Sequence, residues 1–321
     1  MKLKTPICDL FNIEYPIFLA GMGGVAYAEI CAAVSDAGGF GTLGMAGVPP
    51  EQIREQMIQV KALTDKPFGV DLLVAIPEQV EAAIDVIIDE GASAFIGGLG
   101  VPRRVIDKCH EANVKVMSLC GKVAHAVDAA KAGCDVVIAQ GTEGGGHTGQ
   151  VAGMALTPLI VDAVDVPVIA AGAIFDGRGL TASLAFGAQG AWIGTRFIAS
   201  TEAHAALVYK QQILDAECDQ TTISRCYSGK PMRVIRNDYV DDWAKRPEDL
   251  KPFPQQMLVS VQNATMGLLA GLEVDIDPNK ACMPAGQGVG GIHEILPAKE
   301  IIARIMSEAE DNIIRMGDLI N

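Results

Sequence analysis

The sequence predicts an α/β protein, a (β/α)8 TIM barrel carrying a mostly helical insertion over the barrel mouth. Three observations predict it. Short apolar runs alternate with helical patterns until eight strands have been laid down before residue 200. Glycines punctuate the helix ends and turns between these units. The composition is 50% apolar, with only 5% aromatic residues and 35 glycines among 321, which suits parallel strands buried on both faces. A doubly wound sheet would need fewer strands and a reversal of strand order that the pattern lacks.

Y-P-I-F-L-A (15–20) reads as the first strand, and 28–37 as a helix stopped by Gly38 and Gly39. G-T-L-G (41–44) is a short strand before a helix over 50–63, where Pro50 suits the first turn. F-G-V-D-L-L-V (68–74) precedes a helix over 77–90 with apolar residues at 80, 84, 87 and 88 on one face. Strands over 94–99 and 115–120 are followed by helices over 103–112 and 123–132. Strands six and seven fall at 135–140 and 167–172, with helices over 156–164 and 179–186, and the eighth strand spans 191–197.

After residue 200 the rhythm breaks. S-G-K-P-M-R-V-I-R-N (228–237) is a basic island, 245–254 is proline-rich and loop-like, and helical signals return at 255–270 and 297–313. The expected organisation is a barrel core over 1–200, an insertion over 201–290, and a closing segment over 291–321 whose helix packs on the barrel.

A formal net charge of −14 argues against nucleic acid or an anionic membrane as the main partner. It leaves room for a small anionic ligand held by helix N-termini and backbone amides. The eight cysteines form no C-x-x-C pair and read as reduced core residues. Residues 1–20 lack a signal-peptide pattern, and no apolar run reaches the ~18 residues of a membrane span. A cytoplasmic protein is expected. No metal-ligand cluster and no G-x-S-x-G elbow is found, so neither a metal nor a serine nucleophile is expected.

In a barrel of this kind the chemistry sits at the C-terminal ends of the strands. Three glycine-rich loops fall there: G-M-G-G after strand one, G-T-E-G-G-G-H-T-G after strand six and A-G-A-I-F-D-G-R-G after strand seven, with I-G-T-R-F at the end of strand eight. Gly172, a helix start near Gly179, and Gly194-Thr195 would present N–H groups to a phosphate. The plainer reading is that these glycines serve only tight turns. His147 follows three glycines on this face, whereas His110 and His125 fall on helices and His204 opens the insertion. An imidazole there can donate a hydrogen bond or take a proton near neutral pH. A phosphate site without metal or nucleophile motif suggests a phosphorylated cofactor; FMN follows by fold-level analogy.

D-V-V-I-A-Q-G-T-E-G-G-G-H-T-G resembles the signature of the nitronate monooxygenase family, V-P-V-I-A-A-G-A-I-F-D-G-R-G with G-A-W-I-G-T-R-F resembles its FMN-phosphate segment, and Y-P-I-F-L-A-G-M-G-G and P-A-G-Q-G-V-G-G-I also match. The resemblance runs from about residue 5 to 313 and extends to FMN-dependent enoyl-acyl-carrier-protein reductases, quinone reductases and a branch acting on CoA thioesters. It implies FMN across the barrel mouth with catalytic His147 at its reactive edge. It places Gly21, Met22 and Gly23 against the flavin ring. Gln140, Gly145 and Gly146 shape the site, Gly172, Gly194 and Thr195 hold the phosphate, and Asp71 and Ala173 are further cofactor-binding positions. The activity implied is oxidation of an alkyl nitronate by O2 to a carbonyl compound and nitrite. The alternatives are an NAD(P)H-dependent enoyl-thioester or quinone reductase, an enzyme of a CoA thioester, and a flavin-binding protein without turnover. A homodimer is compatible with the sequence, which does not fix the oligomeric state.

Several positions depart from the family pattern. Gly144 replaces the usual alanine, Ala173 a glycine, and Asp71 an asparagine, and T-E-G-G-G-H-T-G as a whole lies closer to the CoA-thioester branch. A carboxylate at 71 would repel an anionic nitronate and a reduced flavin unless protonated or paired. Lys230, Arg233 and Arg236 of the basic island are positioned in sequence to meet a CoA or carrier phosphate.

Overall fold

The computed structural model describes residues 3–73, 77–98, 100–270 and 277–319. The ends of two expected strands, Val74 and Leu99, lie outside them. In chain order the strands are β1 (Ile17–Leu19), β2 (Gly41–Gly44), β3 (Phe68–Leu73), β4 (Ala94–Gly98), β5 (Lys115–Cys120), β6 (Val136–Gln140), the two-residue β7 (Gly146–His147), β8 (Val168–Ala171) and β9 (Gly190–Ile193). All but β7 form one eight-stranded parallel sheet, ordered β1-β9-β8-β6-β5-β4-β3-β2. A parallel bridge from Phe18 to Phe40 links its two edges, with Phe40 N donating to Ile17 O at 2.8 Å and Leu19 N to Phe40 O at 2.9 Å. The sheet is a barrel.

An unanticipated helix, α1 (Pro6–Phe11), plugs the bottom of the barrel. Ile7 and Phe11 join Phe18, Phe40, Ile96, Met117, Ile138, Ile169 and Trp192 in the interior. Phe11 meets Phe18 and Phe40 edge-on at 5.3 and 4.9 Å between centroids. Six residues are too few for a periodic signal, so only the tertiary contacts reveal this element.

The outer ring is α2 (Ala28–Asp36), α3 (Pro50–Leu63), α4 (Pro77–Asp89), α5 (Arg103–Glu111), α6 (Val123–Ala132), α7 (Gly153–Val161) and α8 (Gly177–Ala185), all in the expected places. Two starts lie earlier than the sequence indicated. α7 begins at Gly153 because the Glu143 carboxylate accepts from Gly153 N at 2.9 Å, and α8 begins at Gly177 because Asp176 caps it by accepting from Gly179 N at 2.9 Å. The eighth strand ends at Ile193 instead of 197. Gly194 turns the chain into a one-turn helix, α9 (Thr195–Ile198), whose Phe197 N donates to Gly194 O at 2.8 Å.

The insertion holds α10 (Leu207–Asp215), α11 (Asp238–Ala244) and α12 (Gln255–Gln262), but also a sheet not foreseen. β10 (Thr221–Ser224) pairs antiparallel with β11 (Met232–Ile235), and β11 pairs in turn with β7, setting Met232 opposite His147. The basic island is therefore largely a strand, in keeping with its Met-Arg-Val-Ile run. The last helix, α13 (Ala298–Gly317), packs Ile301, Ile302, Ile305 and Ala309 against Ile30, Val34 and Leu180, closing the outer ring between α8 and α2. Among the described residues no helix is long and apolar enough to cross a membrane.

Candidate active site

The residues singled out by sequence converge on one end of the barrel because the strand register brings their strand ends together. Gly44 pairs with Asp71, Gln140 with Ala171, Ala171 with Trp192, and Leu19 with Ile193. Beyond those positions the chain turns into Gly21–Gly23, Gly172–Ala173 and Gly194–Thr195.

Gly21 faces Asp71 so closely that a Cβ would lie 2.2 Å from Asp71 Cβ and 2.4 Å from Oδ2, so only glycine fits. The backbone of Met22 crosses Gly44, its sulfur would lie 3.4 Å from a Cβ at Gly194, and Gly23 faces open space. The half-buried Asp71 carboxyl makes no hydrogen bond or ion pair among the described residues. Loss of hydration pushes it well above the usual carboxylate range, which favours the neutral acid.

Gly172 has a φ of 113° and Ala173 of 52°, both left-handed. That explains why glycine is the usual residue at 173 and makes Ala173 a strained replacement, at a cost of ~1 kcal/mol or more. The N–H groups of Gly172, Ala173, Gly194 and Thr195 meet no protein acceptor among the described residues. Four orphan amides from two adjacent strand ends suit a phosphate. One expectation is corrected. The start of α8 offers less than the sequence suggested, since Gly179 N is taken by Asp176 and Gly177 N by Glu308, each at 2.9 Å. Two carboxylates at that helix end would also repel an anion.

The loop after β6 is braced from three directions. Gln140 Nε2 donates to His147 O at 2.9 Å. A Cβ at Gly145 would lie 2.8 Å from the backbone of Ala285 and Gly286, so the 284–291 segment packs directly on this loop. Gly286 N also donates to Thr195 Oγ1 at 3.0 Å and Gln287 N to Glu143 O at 2.9 Å, tying the loops after β6 and β9 together. Arg233, only 8% exposed, is the third brace. Its Nε donates to Thr142 O at 2.9 Å and its Nη1 to Thr221 Oγ1 at 3.1 Å. It points inward and acts as a strut between Thr142 and Thr221. Gly146 faces open space beside His147.

His147 is half-buried. Its Nε2 lies 2.8 Å from the hydroxyl of Ser228, which is fully buried, and the Phe253 ring stands edge-on at 6.3 Å. The Lys230 ammonium sits 4.4 Å from the centre of the same Phe253 ring and has no acidic partner among the described residues. Burial, and secondarily the Lys230 charge, lower the His147 pKa from 6.5 to about 4, so the imidazole is neutral at physiological pH. The sequence did not point to Ser228 or Phe253, and the structure sets Lys230 apart from Arg233 and Arg236. Arg236 is exposed, bonded to Asp241 at 2.7 Å, and lines a surface cleft of about 500 Å³ with Asp238 and Asp242. These acidic neighbours make it a poor phosphate contact.

The mouth thus combines bare backbone, orphan amides, a neutral imidazole, a cation with no acidic partner among the described residues, and an acid whose pKa burial raises. A sequence model of the nitronate monooxygenase family matches residues 4–83 and 78–308. A probable nitronate monooxygenase of Staphylococcus saprophyticus is 34% identical over 302 residues, covering 80% of this chain and 85% of its own. The (3aS,4S,5R,7aS)-5-hydroxy-7a-methyl-1-oxo-octahydro-1H-indene-4-carboxyl-CoA dehydrogenase of Rhodococcus jostii is 33% identical over 350 residues, covering 99% of each chain. Among solved structures, FabK from Thermotoga maritima is similar with a TM-score of 0.90 at 32% identity, over 99% of each chain.

Proposed function

Because this chain belongs to the nitronate monooxygenase family, we propose that it is an FMN-dependent enzyme that converts an alkyl nitronate and O2 to a carbonyl compound and nitrite. The observation that carries this reading is the neutral imidazole of His147 beside the unpaired ammonium of Lys230 at a glycine-lined mouth. FMN, when bound, supplies the redox centre that takes electrons from the nitronate and passes them to O2.

The chain's own residues would do the rest. The amides of Gly172, Ala173, Gly194 and Thr195 would hold the phosphate. The backbone of Gly21, Met22, Gly23, Gly145 and Gly146 would lie against the ring system, with Gln140 keeping the His147 loop in place. Asp71 in its neutral form would not repel a negatively charged ring, which answers the objection raised by a carboxyl at that position. His147 and Lys230 would bind the nitronate oxygens and share its charge. The β7-β10-β11 sheet and the 284–291 segment would shield the reacting atoms from water.

The test begins with the absorption spectrum of the purified protein and identification of the released flavin. Anaerobic mixing with propionate 3-nitronate, and separately with NADH, follows. Bleaching by the nitronate, with nitrite formed in air, is the expected result. Bleaching by NADH alone would sink the proposal in favour of a reductase. A second reading, an FMN enzyme of a CoA thioester, is favoured by the coverage of 99% of this chain by the CoA-linked dehydrogenase, against 80% for the nitronate enzyme. An inward Arg233 and a paired Arg236 weaken it, leaving Lys230 as the unpaired cation of the basic island. A flavin indifferent to nitronate and NADH but altered by an acyl-CoA would favour that reading.

A further inference from the structure

We propose that Ser228 holds His147 as the Nδ1–H tautomer, making His147 a hydrogen-bond donor to an anion formed before it enters the site, and not a base that removes a proton from a neutral precursor. The substrate's identity rests on the nitronate reading above; the tautomer does not.

Ser228 is fully buried, and its hydroxyl has three neighbours. Lys230 N donates to it at 3.2 Å. Its own single proton has two acceptors to choose between, Lys230 O at 3.3 Å and His147 Nε2 at 2.8 Å. O–H···O bonds ordinarily span about 2.5–3.0 Å, so the carbonyl contact is long for a hydroxyl donor, whereas the imidazole nitrogen lies at an ordinary hydrogen-bond distance. The proton therefore goes to Nε2. A neutral imidazole that accepts at Nε2 carries its own hydrogen on Nδ1. Nδ1 has no partner among the described residues, so this N–H is left for a ligand.

The ring cannot easily turn away from this arrangement. Its backbone is laddered to Met232, its carbonyl is held by Gln140 at 2.9 Å, and Phe253 stands edge-on to it at an interplanar angle of 88°. Lys230 adds a cation that rests on an aromatic face instead of a carboxylate, so its charge remains available to a ligand. Two donors, Nδ1–H and Nζ, suit the paired oxygens of a nitronate. With Nε2 occupied and Nδ1 already protonated, His147 has no lone pair with which to strip a C–H acid. The site accordingly takes the preformed nitronate and not its nitroalkane parent.

The decisive measurement is a two-bond nitrogen–proton correlation spectrum of holoenzyme labelled with ¹⁵N-histidine, with His147 assigned by its loss in His147→Gln. Protonated Nδ1 and unprotonated Nε2 are expected. A protonated Nε2 in the wild-type enzyme overturns the proposal without recourse to any variant. Ser228→Ala should mix the tautomers and Ser228→Thr, which keeps the hydroxyl, should restore the preference; an Ala variant with an unchanged spectrum also counts against it. O2 uptake supplies a second arm. Neutral nitroalkane should be consumed no faster than it ionises spontaneously, and faster consumption refutes the non-base role. Lys230→Met should lower kcat/KM for the nitronate by about tenfold, and Lys230→Arg should recover it. Turnover of neither substrate, with Nδ1–H present in the spectrum, removes the nitronate reading and leaves the tautomer standing.

Discussion

The electrostatics of His147 make a prediction that can be followed in stability as well as in the spectrum. Its pKa falls from 6.5 to about 4 in the fold, because burial disfavours the imidazolium and Lys230 repels it. At ~1.36 kcal/mol for each tenfold change in proton affinity, charging His147 costs about 3 kcal/mol more in the folded protein than in the unfolded chain. The unfolded chain binds this proton below 6.5 and the folded one only near 4. The contribution is therefore fully present above pH 6.5 and is lost as the pH falls from 6.5 towards 4. Between pH 7 and pH 5 this residue should remove about 2 kcal/mol of stability. Urea unfolding at the two pH values, compared with His147→Gln, isolates the term, since the glutamine cannot titrate. The wild-type protein should lose about 2 kcal/mol more than the variant. Lys230→Met should raise the His147 pKa without restoring it to 6.5, because burial is the larger cause. A wild-type His147 that titrates at 6.5 or above, or equal losses in protein and variant, would refute the reasoning.

Three other substitutions probe the site. Asp71→Asn replaces a dehydrated acid with a neutral near-isostere. An acid whose folded pKa is raised loses stability as pH rises, so the variant should be more stable than wild type at pH 8, with the flavin still bound; lower stability there would mean that the carboxylate is ionised and partnered. Ala173→Gly should relieve the left-handed strain at a φ of 52° and stabilise the fold by about 1 kcal/mol in thermal or urea denaturation, while a loss would show that the Cβ packs usefully. Arg233→Met removes the bonds to Thr142 and Thr221 and should cost about 3 kcal/mol. It should lower turnover of every substrate alike, and an effect confined to acyl-CoA KM would return Arg233 to the role of a phosphate contact.

The barrel was legible in the sequence because its information is local. A strand buried on both faces is a short apolar run, a covering helix has an apolar stripe, and glycines mark the turns. The same locality exposed the mouth. Gly21, Gln140, Gly172 and Gly194 each follow or end a strand, Asp71 lies in the last half of one, and parallel register carries them to one end whatever the loops do. His147 stood out by the same logic.

What the tertiary structure alone decided are pairings between residues far apart in the chain. Ser228 reaches His147 across 81 positions, Phe253 and Lys230 frame it from the insertion, and Glu308 occupies an amide of α8 that seemed open to phosphate. Arg233 and Lys230 carry the same charge three residues apart, yet β11 turns Arg233 into the protein while Lys230, ahead of the strand, stays over the Phe253 ring at the site. None of this has a periodic or compositional trace, because a buried hydroxyl or an inward guanidinium is specified by what folds against it. The sequence by itself determined the barrel and the histidine at its mouth. The protonation, tautomer and charge surroundings of that histidine arise from the folded insertion, where burial and fixed hydrogen-bond geometry act on groups that the chain keeps far apart.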